Sequence, residues 1–263
     1  MDKLRASEDF IKLIDGFLSK DVYQNAKRLV RDYKAIISED RLFYLKGEGY
    51  RLFIEDRSNF YNVFYFIKKG LEGLSEVEIP NDKKSIIDYV YRDLDQEETA
   101  IIETLGYETY IERTSLSLGL DRVGGGGEYS FASHKDLETI FSLQEDHIDP
   151  YTGNALSKDE LAEEIKNEKL LAVYEGDLLA GFIRFQIRGR DLELDNIVVA
   201  DTFRGGGRAG QLIEGLIRLG RERDYNKINL WVRDGNIPAM GLYEKFNFKP
   251  TGYKCINYIR RGV

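Results

Sequence analysis

The chain is nearly free of cysteine and histidine, and both shortages narrow its chemistry. Cys255 is the only cysteine among 263 residues, so an intrachain disulfide and a cysteine-based metal centre are excluded, and a reducing compartment is compatible. His134 and His147 are the only histidines, too few for a histidine cluster, and no H-E-x-x-H pattern occurs, so no metal is expected. No apolar run approaches the length of a membrane span, and no membrane partner is expected. The opening MDKLRASEDFIKLIDGF sets acidic residues among its apolar ones, unlike a signal peptide, so the expected location is cytoplasmic. Basic tracts are missing too. A formal charge of −8, spread over both halves, disfavours nucleic acid as a partner but is compatible with a cationic substrate.

What is present is the composition of an ordinary globular protein, 42% hydrophobic and 32% charged, at a length that accommodates two compact domains. Apolar spacing predicts two helices within residues 8–38, one through Phe10, Ile11, Leu13, Ile14 and Phe17, the next through Val22, Ala26, Leu29, Val30, Tyr33 and Ile36. RLFYLKGEGYRLFIED and NFYNVFYFIKKG read as a meander of antiparallel strands. A short strand at 76–79, helices near 83–92 and 95–105 and a strand at 107–118 follow. Gly124 to Gly127 are four consecutive glycines, too flexible for an element interior. They mark the expected boundary between a smaller α+β domain, 1–123, and a second domain, 128–263, with a long turn inside one domain as the alternative. The second domain reads as strand, helices at 135–145 and 157–167, three strands in quick succession, helix, strand, helix and strand.

The most informative stretch is DLELDNIVVADTFRGGGRAGQLIEGLIRLG, residues 191–220. It reads as a buried strand, a glycine turn and an amphipathic helix carrying Leu212, Ile213, Leu216, Ile217 and Leu219. A helix N-terminus leaves several N–H groups unpaired and carries partial positive charge, so glycines before it let a phosphate or pyrophosphate approach. No Lys-Ser or Lys-Thr follows the glycines, which excludes a P-loop. Arg204-Gly205-Gly206-Gly207-Arg208-Ala209, an R-x-x-G-x-A pattern after Ile197-Val198-Val199-Ala200, resembles the acyl-CoA loop of the GNAT superfamily of N-acetyltransferases. Asn236-Ile237-Pro238-Ala239-Met240-Gly241-Leu242-Tyr243-Glu244-Lys245 resembles that family's N-x-x-A-x-x-L-Y-E-K signature. The resemblance covers 128–263 and implies a mixed, mostly antiparallel α/β sheet flanked by helices. An internal echo extends it. IIETLGYETYIERTSLSL, 101–118, lies without gaps on LYEKFNFKPTGYKCINYI, 242–259, pairing Leu105-Gly106-Tyr107 with Phe246-Asn247-Phe248. The N-terminal half is therefore either a degenerate GNAT repeat without a cofactor loop or an unrelated α+β domain.

The resemblance implies acetyl-CoA as co-substrate, held by loop amides from Gly205 to Gly210, by Arg204, Arg208 and Ala209, by backbone donors of Ile197, Val198 and Val199, and by Asn236. It implies Glu193 as general base and Tyr243 as the acid that protonates the thiolate. A tyrosine is protonated at neutral pH and can donate to a thiolate. Asp195 shares the face of Glu193 by strand alternation, and with His147, Asp149 and Tyr151 it is a candidate for the acceptor pocket. These carboxylates could instead simply bind a cationic acceptor. The expected function is N-acetylation of a small-molecule or peptide amine, with a non-catalytic acyl-CoA sensor as the alternative, and a homodimer is compatible with either.

Overall fold

The computed structural model describes residues 1–26, 30–122 and 127–262. Contacts divide the chain into two units, residues 1–112 with 254–263, and residues 113–253. The expected boundary at 124–127 differs from this division, and Gly124, Gly125 and Gly126 lie outside the described residues, as does Leu29.

In the first unit the elements run β1 (Asp2–Lys3), α1 (Ser7–Ile14), β2 (Val22–Gln24), α2 (Val30–Ser38), β3 (Leu42–Lys46), β4 (Tyr50–Asp56), β5 (Phe60–Lys68), β6 (Lys84–Tyr91) and α3 (Gln96–Thr104). The chain leaves this unit within β7 (Glu108–Gly119). The central strands are covered on both faces, because alternate side chains feed separate cores. Leu52, Ile54, Val63, Tyr65 and Ile67 join one cluster, whereas Phe53, Phe64 and Phe66 join another with Phe10, Tyr33 and Ile36. Three expectations are corrected here. The segment expected as a helix at 83–92 is β6, an interior strand lying parallel to β5 from Phe60↔Lys84 to Asn62↔Ile86, and its Ser85, Ile86, Ile87 and Tyr89 are buried. Residues 22–24, expected to be helical, pair antiparallel with β5. The strand expected at 76–79 is likewise absent, and a single 3-10 turn, Leu74–Glu76, stands before it.

The second unit carries β8 (Ser130–Phe131), α4 (Leu137–His147), α5 (Lys158–Lys166), β9 (Leu170–Glu175), β10 (Leu178–Arg188), β11 (Asp191–Val199), α6 (Arg208–Glu222), β12 (Lys227–Arg233), α7 (Ile237–Lys245) and most of the loop and strand start leading into β13 (Lys249–Arg260). α5 begins at a capping box in which Ser157 and Glu160 satisfy each other's backbone N–H groups. Its sheet runs β7-β12-β11-β10-β9-β8. All pairs are antiparallel except β11 with β12, as the α/β, mostly antiparallel expectation requires. α6 packs Leu212, Ile213, Leu216, Ile217 and Leu219 on one face of the sheet with Leu192, Leu194, Leu230 and Tyr243. α4 and α5 bring Ile140, Leu143, Leu161 and Ile165 to the side chains of Phe182 and Val198 on the other.

The two units repeat one plan. β5, β6, α3 and β7 correspond to β11, β12, α7 and β13, and each plan contains one parallel strand pair. The matched chain turns agree in detail. Gly106 and Asn247 both take the left-handed conformation, at φ 86° and 64°. Their N–H groups donate to Glu103 and Glu244 at 2.8 and 2.9 Å, and the next residues, Tyr107 and Phe248, donate to Ile102 and Tyr243. Each sheet ends on a segment remote in sequence from the strand it pairs with. Residues 113–119 pair antiparallel with β12, and 254–260 pair antiparallel with β6.

Candidate functional site

The site is built where β11 and β12 part. Their partners run from Asp191↔Lys227 to Leu194↔Leu230 and stop. β11 continues along β10 as far as Val199↔Gly181, and β12 continues along β7 as far as Arg233↔Arg113. Between the diverging ends, the edge of residues 195–199 that faces β12 has no strand partner among the described residues. The register of β10 on β11 shifts at this point, from Arg184↔Asn196 to Phe185↔Leu194. Asp195 is the extra residue, and a bulge of this kind bends a strand and re-aims its side chains.

The opening leads to the glycine turn. Gly205 and Gly207 hold φ of 80° and 78°, a region that residues with a Cβ rarely adopt. A Cβ built on either would meet no atom within 4 Å, so the space over the turn is open. Gly207 is the N-cap of the fifteen-residue α6, whose first N–H groups lack intrahelical partners. Arg204 and Arg208 are both engaged in ion pairs. Arg204 reaches Asp201 at 2.8 Å, the Val199 carbonyl at 3.2 Å and His147 Nδ1 at 3.3 Å, and Arg208 contacts Glu175 and Gln211. The backbone therefore supplies the uncommitted donors. Gly205 to Gly210 also satisfy the G-x-G-x-x-G spacing of dinucleotide loops, because both patterns set glycines where an anion meets a helix N-terminus.

Tyr243 is buried in the cluster on the α6 face, its ring 5.5 Å from that of Phe248 in an edge-on contact. Burial pushes its hydroxyl well above the ordinary tyrosine range, so it stays protonated and able to donate. Asn236 caps α7, its Oδ1 accepting from Ala239 N–H at 3.3 Å. Glu193 is one-third exposed, with Arg188 at 3.4 Å. Asp195 is 11% exposed at the side chain and lies 3.4 Å from the buried Arg184. Burial raises its carboxyl to about 6. His147 turns toward Arg204 and Asp201, while Asp149 folds the α4–α5 loop by accepting from Tyr151 N–H, Thr152 N–H and Thr152 Oγ1–H at 2.8 to 3.0 Å.

The sequence reading did not single out Arg113, Arg184 or Asn196. Arg113 donates to the Thr152 carbonyl, Asn196 donates to that of Gly153 at 2.9 Å, and Arg184 donates to that of Asn154 at 2.8 Å. Two surface cavities measure about 540 and 470 Å³, the first lined by Ser133, Asp159 and Lys166, the second by Tyr129, Val173 and Gln211 and by Arg208 at the start of α6.

Comparison with known proteins bears on the family and the fold. The model of the acetyltransferase (GNAT) family matches residues 137–248. A streptothricin acetyltransferase of Escherichia coli is 30% identical over 122 residues, 46% of this chain and 68% of that protein. A Bacillus subtilis (strain 168) protein named for ribosomal protein bS18-alanine N-acetyltransferase activity is 28% identical over 129 residues, 49% of this chain and 84% of its own. Among solved structures, a tandem GNAT protein from the clavulanic acid biosynthesis pathway superposes with a TM-score of 0.61 at 13% identity, covering 96% of this chain and 94% of that one. That likeness extends the shared fold over both units.

Proposed function

Because the chain belongs to the GNAT acetyltransferase family, we propose that it transfers the acetyl group of acetyl-CoA to a primary amine of a small molecule or peptide, in the cytoplasm. The observation that carries the reading is the opening between β11 and β12, which ends at a glycine turn on a helix N-terminus. That geometry suits a long thioester arm lying along residues 197–199 with its pyrophosphate over Gly205 to Gly210. Arg204, Arg208 and Ala209 frame the turn, and Asn236 stands at the start of α7. Two relatives named for acetylating an alanine of a ribosomal protein and streptothricin support an amine acceptor of either size.

The chemistry follows from the groups present. The amine nitrogen attacks the thioester carbonyl carbon, the C–N bond forms, and the C–S bond then breaks. The nitrogen loses one proton toward the carboxylates of β11, with Glu193 passing it to solvent through water. The departing sulfur takes a proton from the Tyr243 hydroxyl, which recovers it from solvent, so the products are an amide and free coenzyme A. Thiol release from acetyl-CoA, measured with an N-terminal-alanine peptide, a polyamine and an aminoglycoside, tests the proposal. Amine-dependent release with at least one of them is expected. Tight coenzyme A binding without amine-dependent release would instead mark a sensor.

A further inference from the structure

The α4–α5 loop is held unusually firmly for a surface connection. Three successive carbonyls, those of Thr152, Gly153 and Asn154, are taken by side chains from three different strands: Arg113 of β7, Asn196 of β11 and Arg184 of β10. At the loop's far end the buried Gln144 exchanges two hydrogen bonds with the Leu156 backbone, at 2.7 and 2.9 Å. Gly153 admits no side chain, since a Cβ there would lie 2.3 Å from Ile148 Cγ2 and 2.6 Å from the Asp149 carbonyl. Most loops leave such carbonyls to water.

The clamp sits at the mouth of the opening. Asp195 and Asn196 are the first two residues of β11 beyond its last β12 partner, and Arg184 touches both, Asn196 Oδ1 at 3.0 Å and Asp195 Oδ2 at 3.4 Å. On the α6 face, Ile197 and Val199 pack against an apolar cluster that includes Tyr243 and Phe248, so the clamped side supplies the charged and amide groups that suit a polar amine. Along an extended strand, at about 3.3 Å per residue, Glu193 is about 13 Å from Ile197 and Asp195 about half that. Direct proton transfer needs contact or one intervening water.

Building on the acetyltransferase reading, we propose that Arg184 is a positioning residue that joins the α4–α5 loop to Asp195, that Asn196 and Arg113 complete the wall holding the acceptor, and that Asp195 receives the proton the amine nitrogen loses. Glu193 then relays that proton outward. The charged groups around Asp195 are Arg184 and Arg188 of β10, Glu193 of its own strand and Glu164 of α5; the cations favour its ionised form and the carboxylates oppose it, while burial raises its carboxyl to about 6. The ionised form is the base, so kcat/KM rises with pH through that value.

The test compares wild type with Asn196→Ala, Arg184→Lys, Arg184→Gln and Asp195→Asn. It measures coenzyme A affinity by calorimetry, and kcat and KM across pH with whichever panel amine the wild type acetylates. Asn196→Ala and Arg184→Lys should raise KM for the amine about tenfold, with coenzyme A affinity within twofold. Arg184→Lys keeps the cation and leaves the acidic limb near its wild-type pH, whereas Arg184→Gln moves that limb upward. Asp195→Asn should lower kcat/KM by about 10²- to 10⁴-fold and abolish the limb. Failure of a glutamine variant to fold leaves the lysine and alanine variants decisive. An unchanged KM in Asn196→Ala and Arg184→Lys, or a wild-type rate in Asp195→Asn, overturns this inference while the enzyme reading stands. A wild type that binds coenzyme A yet acetylates no amine overturns both.

Discussion

At the residue scale, Tyr243 and Glu193 separate by environment. Tyr243 is buried among apolar side chains, with its hydroxyl raised by that burial, so its proton is retained at every working pH, and in the proposed reaction it goes only to the strongly basic departing sulfur. Tyr243→Phe keeps the ring's contact with Phe248 and deletes the donor. Turnover should fall by about 10²- to 10⁴-fold with coenzyme A affinity retained, a split that steady-state kinetics beside calorimetry will reveal. Glu193 is partly solvated and paired with the exposed Arg188, a pair of small energetic weight. Glu193→Gln should therefore cost less than Asp195→Asn, and part of that loss should return at higher pH, where more of the free amine is already neutral. Equal losses in the two variants at all pH values would mean that Glu193 itself receives the proton. The sequence could not rank these carboxylates, because strand alternation puts residues 193 and 195 on one face, and only the register shift against β10 distinguishes them.

At the element scale, the glycine turn is where local sequence speaks most directly. Gly207 needs a left-handed backbone and faces open space, two constraints that separate strain from obstruction. Valine there costs about 1–3 kcal/mol of backbone strain, so Gly207→Val mixes destabilisation with blocking. Asparagine tolerates this region, as Asn247 does at φ 64° in the turn after α7. Gly207→Asn should therefore melt close to wild type while weakening coenzyme A binding about tenfold or more, read by calorimetry beside thermal unfolding. Unchanged affinity would remove the turn from the site. Elsewhere the local pattern was ambiguous. Ile86, Ile87, Tyr89 and Val90 fit helical spacing as well as a strand buried on both faces, and only the pairing of β6 with β5 and with residues 254–260 decides for the strand. The loop clamp was illegible for a different reason, since its acceptors are backbone carbonyls, which leave no mark on residue type.

At the scale of the whole molecule, repetition and exchange were legible to different degrees. The echo of 101–118 in 242–259 is borne out as two equivalent helix-turn-strand segments with the same capping hydrogen bonds. Which sheet receives each strand depends on pairing remote in sequence, and neither glycines nor periodicity report it. The consequence bears on the boundary expected at 124–127. A fragment of residues 128–263 lacks 113–119, which pair with β12 at seven positions from Gly119↔Lys227 to Arg113↔Arg233, and it lacks Arg113 of the clamp. It should unfold at lower temperature than the intact chain or aggregate through the bared edge of β12; circular dichroism and light scattering will distinguish these outcomes from a stable, monomeric fragment, which would restore the boundary at the glycines.

The repeat also predicts how many coenzyme A molecules one chain holds. In the first unit β5 and β6 pair only from Phe60↔Lys84 to Asn62↔Ile86, so the same kind of opening begins there. Here, however, the chain fills it. β4 occupies one edge of β5, so β2, pairing with Phe66, Ile67 and Lys68, must lie along the edge from which β6 has departed. Asn25 follows it, accepting from Tyr65 N–H at 2.7 Å and donating to the carbonyls of Val63 and Asp88 at 3.1 and 3.3 Å, and so bridges both diverging strands. A buried side chain satisfied on both sides is costly to displace, and a ligand would have to replace all three bonds. Between β5 and β6 the described elements include one 3-10 turn, Leu74–Glu76, where the second unit has α6, and Ile102 stands where the other repeat has Tyr243. Native mass spectrometry of the full chain with coenzyme A should therefore saturate at one ligand per chain, and Gly207→Asn should weaken that one equivalent about tenfold or more with no tight equivalent left. A second equivalent that survives Gly207→Asn would place a working site in the first unit and show that β2 yields to the ligand.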